Sequence, residues 1–376
     1  MKDEDGKPIN LDGLIYRERM GRVYTEGPLF KNILGFVNSK GQGLYGIEES
    51  YNEQLAGIPE PNLFSADPSQ ANTIPPMKAG DDLILTINRE MQAAVMDILE
   101  DALEETGAES GTVVVMDPNN GEILAMVSLP LAELKPYWEE QEVQILAYNR
   151  AVNEIYEPGS VFKVLTMAAA LDAGVVTLET TFTDVGYIEI GGAVIRNWDG
   201  GAWGVQTMQG CMQHSLNVCL TWVAIQLGVE DFYRYMQAFG FGHMTGIDLA
   251  DEASGRLKLP GDDDWFEMEL GMNSFGQGVS VTPVQMLMAI SSVANLRGEM
   301  MMPHVVLSTV SDNAQYSPQP VLMGRPISAE TAQTLTNMLA ESLVNESSVA
   351  LVDGYHVAGK TGTAQLIVNG SYDNPL

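Results

Sequence analysis

Apolar and polar positions recur with different periods along the chain, and the period marks the elements. Asp82-Leu-Ile-Leu-Thr-Ile87 reads as a strand. Met91, Val95, Ile98 and Ala102 come next at helical spacing, with Asn88 placed to cap the helix and Gly107 to stop it. Thr112-Val-Val-Val-Met-Asp117 and Glu122-Ile-Leu-Ala-Met-Val127 flank Pro118-Asn119-Asn120-Gly121, which predicts a β-hairpin. An alanine-rich helix is predicted over 160–173, stopped by Gly174, with further helices over 218–239, 283–296 and 329–343. Tyr355 to Ile367 reads as a last strand. Residues 1–80 are rich in Gly, Pro and Asn and read as an irregular strand-and-turn module ending in a linker that carries Pro59, Pro61, Pro68, Pro75 and Pro76. No internal repeat or low-complexity segment is visible. Helices mixed with hairpin strands predict an α+β class rather than a wound parallel sheet.

A length of 376 residues allows two or three domains of roughly 100–200 residues each. Apolar residues make up 45% and charged residues 18%, which fits a folded, core-forming chain. The net charge of −31 excludes a nucleic-acid-binding role, because a phosphate backbone must be met by a basic surface, and it excludes electrostatic docking on anionic lipid. No run reaches the ~20 apolar residues of a membrane span; the most apolar, Val164 to Val176, is interrupted by Asp172. The N-terminal Met-Lys-Asp-Glu-Asp-Gly lacks the apolar core of a signal peptide, so the protein is either cytosolic or its sequence lacks its own beginning. Two cysteines, Cys211 and Cys219, are too few for a disulfide framework or a four-cysteine zinc site. On one helix, eight residues apart, they would stand roughly 12 Å from each other. They are therefore read as two small buried hydrophobes.

Three short motifs carry candidate chemistry. In Glu157-Pro158-Gly159-Ser160-Val161-Phe162-Lys163, Pro and Gly break the chain and Ser160 opens a helix, where unpaired N–H groups favour negative charge. Lys163, three residues on, shares a face with Ser160 among apolar neighbours; desolvation lowers a lysine's pKa and lets it accept a serine proton. His214-Ser215-Leu216-Asn217 can place a hydroxyl and a carboxamide on one side of a turn, to shuttle a proton and hold an amide. In Lys360-Thr361-Gly362-Thr363, the glycine allows close backbone approach, and the lysine and threonine can bind a carboxylate. Alone, each has an ordinary reading as a capped helix, a capping turn or an edge strand. Their order changes that: Ser215 comes 52 residues after Lys163, and Lys360 comes 143 after Asn217. This is the order of serine acyl-transferase motifs in penicillin-binding proteins and β-lactamases.

The chain resembles a class B penicillin-binding protein, a peptidoglycan D,D-transpeptidase. "NRAVNEIYEPGSVFKVLTMAAALDAG" resembles the family's active-serine segment, and "DLILTINREMQAAV" and "GTVVVMDPNNGEILAMVSLP" its first helix and opening hairpin. "AFGFGHMTGIDLADEASG" and "NSFGQGVSVTPVQMLMAISSVAN" resemble segments between the second and third motifs. "GRVYTEGPLFKNILGFVNSKGQGLYGIEESYNEQLAG" resembles the pedestal module ahead of the catalytic domain. The likeness runs over nearly the whole chain.

The resemblance implies an antiparallel sheet flanked by helices with an all-helical subdomain, residues 1–80 as part of the pedestal and its linker, and residues 81–376 as the transpeptidase domain. It implies that Ser160 attacks the D-Ala-D-Ala carbonyl of a stem peptide, that Lys163 is its base, and that Ser215 relays a proton to the departing D-Ala. Asn217 would hold the peptide's amide. Lys360 and Thr361, within Lys360-Thr361-Gly362-Thr363, would position the terminal carboxylate, and Thr363 shares that work. Backbone N–H groups of Ser160 and Thr363 would form the oxyanion hole. β-Lactams would acylate Ser160, and neither metal nor organic cofactor is required. The expected partners are stem peptides, a membrane glycosyltransferase and cell-wall assembly proteins, on the extracytoplasmic face of the bacterial membrane. Water in place of the acceptor amine would make a D,D-carboxypeptidase or a serine β-lactamase; a different class is a non-catalytic scaffold.

Family members also carry an anchor helix ahead of the pedestal, and two strands and a helix beyond the third motif, whereas Leu376 stands 13 residues after Thr363. The expectation is an incomplete gene product with an exposed, unpaired catalytic strand, inactive or unstable alone. Gly41-Gln-Gly43-Leu-Tyr-Gly46 matches G-x-G-x-x-G but lacks the strand and helix of a dinucleotide site. Gly276-Gln277-Gly278 reads as a tight turn near the active site. His214 is set aside as a partner of Ser215, because adjacent residues on a helix point apart. The other histidines have no metal-like spacing, the acidic clusters read as solvated surface, and the 21 methionines read as core filler.

Overall fold

The computed structural model describes residues 21–38, 41–57, 79–131, 149–312, 314–346 and 348–364, together with the backbone of 367–368 and 371–372. The chain enters through α1 (Gly27–Leu34), the ribbon β1 (Phe36–Val37) and β2 (Gly43–Leu44), and the short helices α2 (Gly46–Ser50) and α3 (Asn52–Leu55). Side chains fasten these pieces to the rest of the chain. Glu26 grips Arg89 in a fork at 2.7–2.9 Å, and Tyr51 donates to Asp248 at 3.2 Å. Ile33 and Ile47 are buried with Ile123, Met126, Val284 and Val305 in one core.

β3 (Asp82–Leu85) and α4 (Arg89–Thr106) form where the pattern predicts. The Asn88 side chain accepts from the Met91 N–H at 3.0 Å, and Gly107 closes the helix at φ 71°, a left-handed conformation cheap for glycine. β4 (Gly111–Met116) and β5 (Ile123–Leu129) make the expected hairpin, with Val113 opposite Val127. α4 lays Val95, Met96, Leu99 and Leu103 over Val127 and Leu129. α5 (Arg150–Asn153) precedes a 3-10 turn, Gly159–Phe162, which runs directly into α6 (Lys163–Asp172). Every residue of α6 from Lys163 to Ala170 is buried, so this helix is the axis of the main core.

Two nested antiparallel ribbons come after α6: β6 (Thr181–Asp184) pairs with β9 (Gly204–Thr207) around β7 (Tyr187–Ile190) and β8 (Ala193–Arg196). Next come α7 (Met208–Gln213), α8 (Asn217–Leu227) and α9 (Val229–Ala238). The pattern predicted one helix over 218–239; Gly228, at φ 86°, divides it. α10 (Glu267–Asn273) leads to α11 (Pro283–Ala294), whose Thr282 and Gln285 form a reciprocal capping box. β10 (Met300–Met301), β11 (Val306–Ser311), β12 (Ala314–Tyr316) and β13 (Leu322–Gly324) precede α12 (Ala329–Glu346). β11 lies between β12 and β3 in a three-stranded sheet. Phe162, Leu165, Met167, Leu220, Phe232, Phe239 and Met338 fill the core that joins α6 to α8, α9 and α12. All strand ladders among the described residues are antiparallel, and with the helical core they make an α+β molecule.

The last strand departs from expectation. Residues 355–364 carry no strand; short pairing appears only between β14 (Ile367–Val368) and β15 (Ser371–Tyr372). A strand-like segment without a neighbouring strand to bond to makes no ladder. Among the described residues no helix is long and apolar enough to cross a membrane.

Candidate active site

Ser160 stands on a turn pinned by two glycines. Gly159 has φ 59°, its N–H donates to the Gly276 carbonyl at 3.0 Å, and a Cβ built on it would lie 2.5 Å from the Thr363 carbonyl oxygen. Gly276, at φ 83°, faces the Gly159 backbone so closely that a Cβ there would collide with the Gly159 oxygen. Glycine is needed at both places because left-handed backbone and side-chain-free approach are demanded together. Behind the turn, Phe162 is fully buried and its ring lies 5.0 Å from that of Phe241. Tyr156 and Val281 exchange backbone hydrogen bonds at 2.9 Å just ahead of the turn. Gly278 adds a bond from its N–H to the Glu157 carboxylate at 2.9 Å. The expected tight turn at 276–278 is therefore the floor beneath Ser160.

Lys163 begins α6 and is 0% exposed. Its Nζ donates to the Ser215 carbonyl at 2.6 Å and to Asn217 Oδ1 at 2.7 Å, and stands 3.1 Å from Ser215 Oγ. Burial, and next to it the charge of Lys360, push its pKa well below the usual lysine value. Asn217 donates from Nδ2 to the Arg196 carbonyl at 3.1 Å, so one amide joins β8 to the lysine. Ser215 sits at φ 53° in the turn between α7 and α8, a conformation that costs a non-glycine residue free energy.

The cysteines correct the sequence reading. They do not share a helix: Cys211 lies on α7 and Cys219 on α8, the turn folds the two helices together, and their Cα atoms come to 6.0 Å in a disulfide. The 12 Å separation held only for an unbroken helix. The bridge straddles Ser215 and Asn217.

The third motif comes to the same place without forming a strand. Thr363 lies against Gly159, and a Cβ on Gly362 would fall 3.3 Å from the Pro158 carbonyl and from the Val161 nitrogen. Thr361 and Thr363 are exposed, while Lys360 is partly buried and donates to the Thr361 carbonyl at 2.9 Å. Burial lowers the Lys360 pKa to about 8, with Glu346 opposing the shift. The charge of Lys360 thus disfavours that of Lys163. A cavity of about 470 Å³ lies elsewhere, between α12 and residues 351–357, and takes in none of these residues. Among the described residues no group of three His, Cys, Asp or Glu is placed to hold a metal ion.

Other neighbours escaped the sequence reading. His214 does point away from Ser215; its ring stacks on Trp203 at 4.4 Å between centroids, and Nδ1 lies 3.0 Å from Glu346 Oε1. Trp198 donates from Nε1 to the His214 carbonyl at 3.3 Å. Separations above 100 residues along the chain leave no local signal for the Glu346 contact.

Residues 111–375 match the family model described as penicillin binding protein transpeptidase domain. Stage V sporulation protein D of Bacillus subtilis is 35% identical over 388 residues, covering 99% of this chain and 58% of that protein. Peptidoglycan D,D-transpeptidase FtsI of Escherichia coli is 29% identical, covering 98% of this chain and 61% of that one. The crystal structure of penicillin binding protein 3 from Mycobacterium tuberculosis complexed with ampicillin superposes with a TM-score of 0.81 at 29% identity, covering 94% of this chain and 77% of that chain. The chain thus spans 58% and 61% of the length of these two curated relatives. A serine ahead of a buried lysine, a Ser-x-Asn turn hydrogen-bonded to that lysine and a Lys-Thr-Gly segment laid beside the serine stand together in a fold shared with solved members, and the chain belongs to the class B penicillin-binding-protein transpeptidase family.

Proposed function

We propose that the protein forms peptide cross-links in peptidoglycan by acyl transfer through Ser160. The observation that carries this reading is the wiring of Lys163. It is fully buried, its hydrogen-bond partners are two carbonyl oxygens and a hydroxyl, and no carboxylate among the described residues pairs with its ammonium form. A neutral amine satisfies that geometry: two N–H groups go to the Ser215 and Asn217 oxygens, and the lone pair remains for a hydroxyl proton. Ser160 Oγ attacks the carbonyl of the D-Ala-D-Ala bond as its proton passes to Lys163. The Ser160 and Thr363 N–H groups receive the developing oxyanion; one such donor is typically worth about 3 kcal/mol. The proton passes by way of Ser215 to the departing D-Ala nitrogen, and the amine of a second stem peptide takes the acyl group. Lys360 and Thr361 hold the terminal carboxylate, with Thr363 beside them, and Gly362 lets the substrate run close to the backbone.

The same reading assigns residues 1–80 to a pedestal and residues 81–376 to the catalytic domain. It places the active face outside the cytoplasmic membrane, beside a glycosyltransferase and cell-wall assembly proteins. The test is labelling with a fluorescent penicillin. The full-length wild type is expected to form a stable adduct that deacylates slowly, and full-length Ser160→Ala none. Labelling that survives Ser160→Ala refutes the nucleophile, and rapid turnover of the adduct means a hydrolase.

A further inference from the structure

α12 ends at Glu346, 132 residues beyond His214 in sequence, yet one of its carboxylate oxygens gathers two groups of the α7–α8 turn. Glu346 Oε1 lies 3.0 Å from His214 Nδ1 and accepts from Gln213 Nε2 at 3.3 Å. Gln213 in turn accepts from Asn345 Nδ2 at 3.3 Å. One turn earlier, Gln209 donates to the Met338 carbonyl at 3.0 Å and to Ser342 Oγ at 3.1 Å, so the two helices are laced along their length. The His214 ring is fixed on its other side by the Trp203 stack. The next residue is Ser215, whose left-handed backbone persists only while its surroundings over-determine it. Glu346 from α12 bears on Lys360 and opposes the lowering of its pKa, Lys360 in turn bears on Lys163 from α6, and His214, on the α7–α8 turn, is paired with that same Glu346.

We infer that Glu346 is a positioning residue of this site: its carboxylate ties the Ser215 turn to α12 and serves as the counter-charge to Lys360. The inference rests on the acyl-transfer reading above and adds a residue outside its three motifs. Glu346 touches no substrate. It acts on turnover through Ser215, and on carboxylate recognition through Lys360, whose ammonium form the substrate needs.

The experiment uses the full-length protein and measures the acylation rate by a carboxylate-bearing fluorescent penicillin as a function of pH. In wild type, the rate falls on the alkaline side as Lys360 loses its proton near pH 8. Glu346→Gln is expected to slow acylation several-fold and to move that alkaline limb down by roughly half a pH unit, the size of one lost charge at a partly hydrated site. The acid limb, set by Lys163, stays in place. Glu346→Asp restores the limb. His214→Gln keeps the charge and loses the stack, so it lowers the rate without moving the limb. If Glu346→Gln does not fold, the His214→Gln result decides alone. An alkaline limb unmoved in folded Glu346→Gln, or an unchanged rate in His214→Gln, overturns the inference. Absence of labelling in wild type would instead overturn the acyl-transfer reading itself.

Discussion

At the scale of single residues, reactivity here comes from what surrounds two lysines. Burial and the charge of Lys360 push the Lys163 pKa well below the usual lysine value, the direction that its proposed role as a base requires. Lys360, lowered only to about 8, keeps its proton at neutral pH, which is what a carboxylate receptor requires. Acylation by penicillin should therefore trace a bell in pH. The acid limb marks protonation of Lys163, and the alkaline limb near pH 8 marks deprotonation of Lys360. Lys360→Gln removes a positive neighbour, so the Lys163 pKa rises and the acid limb moves to higher pH; stopped-flow acylation rates would show it, and an unmoved limb would count against the coupling. Gly276→Ala is a second case. A methyl there meets the Gly159 oxygen on a backbone already at φ 83°, so the nucleophile turn must shift. Acylation should fall roughly a hundredfold, as expected for displacement near 1 Å at a reacting group, while bulk helicity by circular dichroism is retained. Ser160, Lys163, Ser215 and Asn217 were legible in the sequence because their spacing is a signature. The Gly276-Gln277-Gly278 turn was legible too, but the contacts of Arg196 and Glu346 were not, because contact across more than 20 residues leaves no periodicity to read.

At the scale of elements, local signals were read well and interruptions poorly. Asn88, Gly107 and the Pro-Asn-Asn-Gly turn are short-range devices, and α4 and the β4–β5 hairpin fall where those residues put them. Gly228 sits inside a continuous helical pattern, so the break between α8 and α9 was invisible. The α7–α8 turn was read only as a place for Ser215 and Asn217, and the disulfide that it allows was missed. Closing a loop of eight residues contributes about 2–3 kcal/mol in the chain-entropy account. The double variant Cys211→Ser, Cys219→Ser should lose that much in denaturant unfolding. Wild type in strong reductant should fall to the same midpoint, whereas the variant should ignore reductant. Equal stability in all four conditions would mean the bridge contributes nothing. The Tyr355–Ile367 stretch shows the opposite error: strand-like composition with no ladder over residues 355–364.

At the scale of the whole molecule, 50 acidic against 19 basic residues leave a net charge of −31 on one folded chain. Self-repulsion at that charge opposes compaction. Raising sodium chloride from ~0.01 M to ~1 M shortens the screening length from roughly 30 Å to 3 Å, and the melting temperature should rise. A fall would mean that local pairs such as Glu26–Arg89 outweigh the repulsion. Composition made this charge legible, and the motif order announced the family, but the convergence of residues 159, 276 and 363 on one spot belongs to the tertiary fold alone. That convergence has a consequence for biogenesis. Ser160 emerges from the ribosome about two hundred residues before the Thr363 segment that completes its surroundings. A growing chain therefore carries Ser160 long before the residues that complete its surroundings exist, and the site can assemble only after translation has passed Thr363.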